Sequence, residues 1–515
     1  MRGRLLVCVF VAGFTTLGIE LSASRLLGNV FGTSNIVWAN IIGLMLVYLS
    51  LGYFLGGRLA DRRPERRVFF RLLAWGAFAA GLVPMAARPV LRQAAQAVEN
   101  LDAGVMVGSL VAVLILLVIP VTLLGMISPF AIRLAVRSPE EAGRVSGRIY
   151  ALSTLGSILG TFLPVLWLIP SLGTSATFLC LSLILLAAAL WGMAGENRRE
   201  ALRHAWMPPA LLVLAWLVLR GPLKSSEGQV YETESAYNYI QVLERDGTRY
   251  LMLNEGQGIH SMYRPDQILT GGTWDYFLAA PFFNAAPHPM EAVRRVGLVG
   301  LAGGTIARQY TQVYGSIPID GWEIDPGILE VGRTYFGMTE PNLNAIAQDG
   351  RWGLAHSHQV YSVIGVDAYR LPYIPWHLTT REFFVEVLRH LEPEGVVVIN
   401  VGRTAEDRRI VEAMVGTMAA VFPSVYVVDV PSTFNTILYA TRQPTNSDNL
   451  AQNWVRLEQA GAPPTLLDAV AAAVENLRPT SASSIVFTDD RAPIEQLTNS
   501  LALRFLLSGD LARLP

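Results

Sequence analysis

Six apolar segments ahead of residue 224 constrain this chain more than any other feature. Leu5–Leu27, Asn35–Gly57, Val68–Ala87, Val105–Ile132, Ile149–Ile169 and Thr174–Met193 are each long enough, or nearly so, for a helix to cross ~30 Å of hydrocarbon. A seventh, Ala205–Leu219, is short, holds Pro208 and Pro209, and is flanked by Arg203 and Arg220. The chain is 52% hydrophobic and 16% charged, and nearly all the apolar excess lies in this half. The first segment holds Glu20 and Arg25 and has no small-residue cleavage site after a brief apolar core, so it does not read as a removable leader. The expectation is a membrane α-helical bundle of six to seven spans over residues 1–223, followed by a soluble half.

Loop charge suggests an orientation. Arg58, Arg62, Arg63, Arg66 and Arg67 crowd the second loop, Arg133, Arg137, Arg144 and Arg148 the fourth, and Arg198, Arg199 and Arg203 the sixth. The first and fifth loops carry no basic residue. An excess of arginine on the cytoplasmic side then puts the N-terminus and the even loops inside a multi-pass protein of the cell (inner) membrane. Seven crossings would leave the soluble half outside. The expected escape is that Ala205–Leu219 lies at the interface or re-enters, so that the soluble half is cytoplasmic.

In the soluble half, Val296 to Asp325 reads as a buried strand, a glycine turn, a helix and a second strand ending in an acid. Such a unit holds a nucleoside: Gly300, Ala302 and Gly304 in the turn let backbone approach the ligand, and Glu323 at the next strand end takes ribose hydroxyls. Strands are expected at Val296–Gly300, Ile317–Glu323, Ala345–Gln348, Tyr361–Asp367 and Val396–Val401, with helices between them. Val425–Val430 and Thr436–Ala440 follow, joined by too short a link for anything but antiparallel pairing. Five parallel strands and an antiparallel pair make an α/β class I methyltransferase-like (Rossmann-type) domain over 286–445. A hairpin, Tyr239–Leu243 and Tyr250–Leu253 around Asp246-Gly247, precedes it in an N-terminal β subdomain over 224–285. Residues 446–515 form a helical extension.

Function should gather at the carboxyl ends of the parallel strands. Three acids end there: Glu323, Asp349 and Asp367. Asp349-Gly350 suits the exocyclic amine of an adenine, and Asp367 lies beside the reacting carbon. Each acid alone could simply cap the next helix; three in register are harder to dismiss. Composition closes other routes. Lys224 is the only lysine, and Cys8 and Cys180 both lie in apolar segments, so lysine and thiol catalysis are excluded beyond residue 224. A net charge of -1 argues against a nucleic-acid partner. His356 and His358 sit in a polar loop without a carboxylate cluster, and no metal is expected.

These residues bring a resemblance into view. The soluble half resembles the spermidine synthase (polyamine aminopropyltransferase) family, and the whole chain resembles its bacterial membrane-bound branch, where a half-sized major-facilitator-like bundle precedes the synthase-like part. SAYNYIQVLERDGTRYLMLNEGQGIHSMY is similar to the family's N-terminal β-domain, with Gln257 at a ligand-facing glutamine. GLAGGT resembles the glycine loop, WEIDP the ribose-binding acid, QDGR the adenine-contacting Asp-Gly and VDAY the catalytic aspartate segment. IPWHLTTREFF and TDDRAPIE are typical of the membrane-bound branch, and GGRLADRRPERR resembles a major-facilitator loop.

The resemblance implies transfer of an aminopropyl group from decarboxylated S-adenosylmethionine to a small amine such as putrescine. Asp367 would be the general base, with Tyr369, Tyr237 and Asp275 holding the amine. Three positions depart from the family. Gly303 stands where an aspartate holds the aminopropyl nitrogen, Tyr369 and Arg370 follow Asp367 where a second aspartate is usual, and Thr273-Trp274-Asp275 replaces Tyr-His-Glu. Two alternatives stay open: a transferase using intact S-adenosylmethionine, and a non-catalytic membrane transport or assembly protein. Six spans are half a standard transporter, so autonomous transport would need dimerisation, as a homodimer, or another mode. Asp489, Asp490, Arg491 and Glu495 are either a surface ion-pair cluster or a flap that supplies the missing acids. On the second reading, truncation at residue 480 abolishes turnover but spares donor binding.

Overall fold

The computed structural model describes residues 2–31, 35–99, 104–220, 226–254, 258–369, 374–404, 407–498 and 500. It divides into two compact units, one of Met1–Ser225 with Glu234–Tyr239, the other of Ser226–Thr233 with Ile240–Pro515.

The first unit is helical: α1 (Arg2–Phe31), α2 (Asn35–Arg62), α3 (Arg66–Glu99), α4 (Gly104–Gly125), α5 (Ile127–Ala135), α6 (Ala142–Leu163), α7 (Ile169–Leu172), α8 (Thr174–Glu196), α9 (Arg198–His204) and α10 (Met207–Val218). Small residues set its packing. A Cβ on Gly156 or Gly160 of α6 would fall 2.1 or 2.0 Å from the carbonyl oxygens of Phe10 and Phe14 on α1, so the two backbones touch only because those positions carry no side chain. The fourth apolar segment breaks at Met126 into α4 and α5. Pro129 lacks the N–H that would reach back to Gly125, which accounts for the interruption.

Among the described residues, seven helical stretches are long and apolar enough to cross a membrane. The seventh differs from expectation. α9 extends it to Arg198–Val218, 21 residues, and the stretch tracks α3. Arg66 pairs with Glu196 at 3.1 Å and Arg71 with Glu200, while Arg88 donates to the carbonyls of Val218 (3.0 Å) and Leu219 (2.9 Å). From Arg66 to Arg88 a helix rises ~33 Å. The stretch therefore matches the length of a crossing helix and does not stop short.

The second unit carries two sheets. A four-stranded sheet has the order β1 (Gln229–Glu234), β2 (Tyr239–Arg245), β3 (Thr248–Leu253), β4 (Ile259–Tyr263). β2 and β3 pair antiparallel around Asp246 (φ 51°) and Gly247 (φ 75°), the two left-handed residues of a tight hairpin turn.

The larger sheet contains β5 (Val296–Val299), β6 (Ile319–Glu323), β7 (Leu343–Ala347), β8 (Tyr361–Val366), β9 (Leu391–Gly402), β10 (Ser424–Asp429), β11 (Asn435–Thr441) and β12 (Leu477–Arg478). Their order is β12-β10-β11-β9-β8-β5-β6-β7. β7, β6, β5, β8 and β9 run parallel; β11 is antiparallel to both β9 and β10. This five-plus-two arrangement is the one expected, and the two-residue edge strand β12 is an addition to it. Helices α11 (Thr305–Tyr314), α12 (Pro326–Tyr335), α13 (Gly350–Ala355), α14 (Arg381–His390), α15 (Arg409–Ala419), α16 (Asp448–Gln459) and α17 (Pro464–Glu475) complete the unit. β5, β8 and β9 are apolar on both faces because a core cluster lies on each side of the sheet. Strand order reverses between β5 and β8, and in open sheets of this kind ligands bind in the crevice outside the carboxyl ends at such a point.

Candidate active site

The crevice is built from turns that follow parallel strands. After β5 the chain enters the glycine loop with Gly300 at φ 91°, Ala302 at φ 47° and Gly304 at φ 87°. A Cβ on Gly300 would stand 2.6–2.7 Å from the backbone of Asp367 and Ala368, so this glycine lets the loop after β5 lie against the turn after β8. Asp367 N–H donates to the Val299 carbonyl at 2.9 Å, which carries the β5–β8 ladder up to the aspartate.

Glu323, the last residue of β6, holds the loop. Its Oε2 accepts the Ala302 N–H at 2.9 Å and its Oε1 the Asp325 N–H at 3.2 Å. Burial pushes its carboxyl up to about 7, with these two backbone donors opposing the rise. The loop is also tied to β4: Gly303 N–H donates to Ser261 Oγ at 2.8 Å, and a Cβ on Gly303 would meet Ser261 and the Phe336 ring at 3.0–3.1 Å. A side chain at this position, such as the aspartate of the resemblance, fits only if Ser261 and Phe336 give way by a few tenths of an ångström.

Asp367 is held from two sides. Trp274 Nε1–H donates to Oδ2 at 2.9 Å and Asn400 Nδ2–H to Oδ1 at 3.0 Å. Asn400 is fixed in turn by Asn435, whose Nδ2–H donates to its Oδ1 at 2.9 Å, and Tyr369 hydroxyl donates to its carbonyl at 3.1 Å. Burial raises the Asp367 carboxyl to about 6, the two donors acting against it. Burial also raises the Tyr369 hydroxyl, so that it stays a neutral donor. A carboxylate with this poise is ionised near neutral pH yet basic enough to take a proton.

Asp349 caps α13. Its Oδ1 accepts the Trp352 N–H at 2.9 Å and its Oδ2 lies 3.1 Å from His377 Nε2, a bond that holds the carboxyl below its usual range. Gly350 packs on Val299 of β5, where a Cβ would fall 2.6 Å from Cγ1. The capping role that each acid could have had is real for Asp349. Its side chain is nonetheless 37% exposed.

The other expected residues fall elsewhere. Asp275 does not join Asp367. It is buried, and its carboxylate takes the N–H groups of Thr270 and Gly271, the Thr270 hydroxyl and the Gln309 amide at 2.6–3.1 Å, so it closes a turn. Tyr237 belongs to the helical unit, where its carbonyl accepts from Arg25 Nη1 at 3.0 Å. Gln257 and Arg370 lie outside the described residues. Arg25 also lies 3.5 Å from Glu234, so its partner is not Glu20. His356 stacks on Trp352, and among the described residues no group of three metal-binding side chains occurs.

Sequence reasoning missed Trp274, Asn400 and His377. Asn400 left a trace, as a lone polar residue closing the apolar run of β9 at the carboxyl edge. Trp274 and His377 left none, because a core aromatic and a loop histidine look the same in sequence. His260 was missed too: its Nε2 is buried with no hydrogen-bond partner among the described residues, on the strand beside Ser261, and burial lowers its ring to about 4.

The chain is similar to several known proteins. The chain is 34% identical over 282 residues to a probable polyamine aminopropyl transferase of Bifidobacterium longum, a match spanning 52% of this chain and 61% of that protein. It is 28% identical over 237 residues to a polyamine aminopropyltransferase of Vibrio vulnificus, spanning 43% of this chain and 75% of the relative. Among solved structures, a probable spermidine synthase from Corynebacterium glutamicum aligns over 51% of this chain and 99% of its own, at 20% identity and a TM-score of 0.38. No family model matches the chain.

Proposed function

We propose that this protein is a membrane-bound, spermidine synthase-like aminopropyltransferase. The donor is decarboxylated S-adenosylmethionine and the acceptor a small amine of the putrescine class. The glycine loop with Gly300, Ala302 and Gly304 approaches the nucleoside, Glu323 meets the ribose hydroxyls, and Asp349-Gly350 meets the adenine. The acceptor amine attacks the carbon beside the sulfonium. The carbon–sulfur bond breaks, its electron pair stays on sulfur, and methylthioadenosine leaves. An alkylammonium cannot attack, so its proton must first pass to Asp367 and then to solvent. The observation that carries the reading is Asp367: a buried carboxylate raised to about 6, clamped by Trp274 and Asn400 at the strand-order reversal. Neither Gly303 nor Asp275 supplies a free acid, so the acceptor is held mainly by Asp367 and by Tyr369 beside it. The decisive experiment incubates the full chain in lipid nanodiscs with the decarboxylated donor and putrescine and follows methylthioadenosine. Release only with the intact donor, or with neither, would remove this function.

Membrane insertion is part of the proposal. Large side chains that globular units bury are exposed on the helical unit, among them Phe54 (71% exposed), Leu166 (72%) and Trp167 (64%). With the arginine-rich loops inside, seven crossings put Arg25, Asn29, Thr174 and residues 234–239 at the exterior face, since Glu234 is bonded to all three. This orientation is the alternative to the cytoplasmic placement expected from sequence.

A further inference from the structure

Asp489 is committed at a point remote from the aspartate that takes the proton. Its two oxygens accept from Arg351 Nη1 and Nη2 at 2.8 and 2.9 Å. Arg351 also forks onto Glu386 through Nε (3.0 Å) and Nη2 (2.8 Å), and Nη1 reaches the His377 carbonyl at 3.0 Å. All five guanidinium N–H donors are thereby used, which leaves the group a single orientation. Arg351 follows Asp349-Gly350 directly, and the His377 imidazole holds Asp349 Oδ2. The C-terminal segment is in turn secured by buried Phe487 and Ile494, and Thr380 hydroxyl donates to Asp489 Oδ1 at 2.7 Å. A chain of contacts thus runs from the tail through Arg351 to the backbone of His377, and from its ring to Asp349.

We propose that the Thr488–Arg491 turn is a clamp that presets the base-reading end of the donor site, with Asp489, Arg351 and His377 acting as positioning residues for Asp349. This rests on the nucleoside-binding reading of the crevice. It also reverses the expectation that the tail supplies acids to the acceptor: its loss weakens donor binding and leaves the proton-transfer residues in place. Arg351 is suited to the task where lysine is not, because only a planar fork satisfies two carboxylates and a carbonyl together. Asp349, whose side chain stays 37% exposed, accepts from an exocyclic amine and rejects a carbonyl at the same ring position. The clamp therefore sets adenine selectivity as well as affinity.

The test is calorimetry of the full chain in nanodiscs with methylthioadenosine and with methylthioinosine, which replaces the amine by a carbonyl. Asp489→Asn is expected to weaken methylthioadenosine about tenfold or more, the scale of a lost charge-assisted bond, and to narrow its preference over methylthioinosine. Turnover at saturating donor stays at the parent level. His377→Ala, at a half-buried site that does not anchor the tail, should show the same loss, and the double variant should lose no more than either single one. Asp489→Glu should recover part of the affinity. If the parent binds neither nucleoside, the reading of the crevice fails and the clamp with it. If the parent prefers methylthioadenosine and both single variants keep that affinity and preference, the clamp alone is overturned.

Discussion

Asp367 offers the sharpest quantitative test. Replacing it with asparagine removes the proton acceptor and nearly preserves shape. The new amide must present its NH2 to either Trp274 Nε1–H or Asn400 Nδ2–H, and Asn400 yields more readily because its own amide can turn. A positioned general base contributes roughly 10²–10⁴ in rate, so kcat should fall by about that factor. Affinity for methylthioadenosine should hold, since neither oxygen of Asp367 is expected to touch the nucleoside. The parent enzyme supplies an independent check. With its carboxyl at about 6, Asp367 is about one-tenth ionised at pH 5 and nearly all ionised at pH 7.5. kcat at saturating substrates should therefore drop roughly tenfold between those values. An ordinary aspartate would still be about nine-tenths ionised at pH 5 and would show almost no change. Single-turnover measurements of methylthioadenosine release from pH 4.5 to 8.5 distinguish the two. A flat profile, or an Asp367→Asn variant within threefold of the parent, would refute the assignment.

Other consequences are as direct. Gly300→Ala places a Cβ against the Asp367–Ala368 backbone at φ 91°, and should lower stability by about 2–4 kcal/mol and abolish nucleoside binding; unchanged melting and affinity would contradict the loop geometry. Burial raises Glu323 to about 7, so the folded state holds its proton more tightly than the unfolded chain, and the stability this group contributes is lost as pH rises from roughly 4 to 7. The melting temperature of Glu323→Gln relative to the parent should rise across that range, and a constant difference would count against the buried carboxyl. Gly160→Leu should prevent α1 from packing on α6, seen as loss of monodisperse protein in detergent. A cysteine at exposed Glu330 should react with an impermeant maleimide in intact cells; labelling only after lysis would restore the cytoplasmic placement.

Much of this was legible in the residues. The apolar segments, the antiparallel closing pair and the acids at strand ends follow from periodicity and length, because those patterns report on each residue's own neighbourhood. The hairpin turn was equally plain from Asp246-Gly247. What was misjudged depended on distant partners. Ala205–Leu219 looked short because its charged extension, α9, carries Glu200, whose pairing with Arg71 no local pattern shows. Asp275 looked like an amine ligand, yet four donors from its own turn and from Gln309 use it up. TDDRAPIE left a flap and a surface ion-pair cluster both open, and the pairing of exposed Asp489 with Arg351, which also holds Glu386, goes with the second.

By itself, the sequence determined the two-part plan, the order of strands and helices, and the three acids that end β6, β7 and β8. These are local consequences of side-chain polarity along a chain of given period. Only the tertiary structure decided which carboxylate is poised to move a proton. Asp367 acquires its basicity from burial, partly offset by bonds from Trp274 and Asn400, 93 and 33 residues away, and no local pattern can encode a field made by groups that meet only after folding.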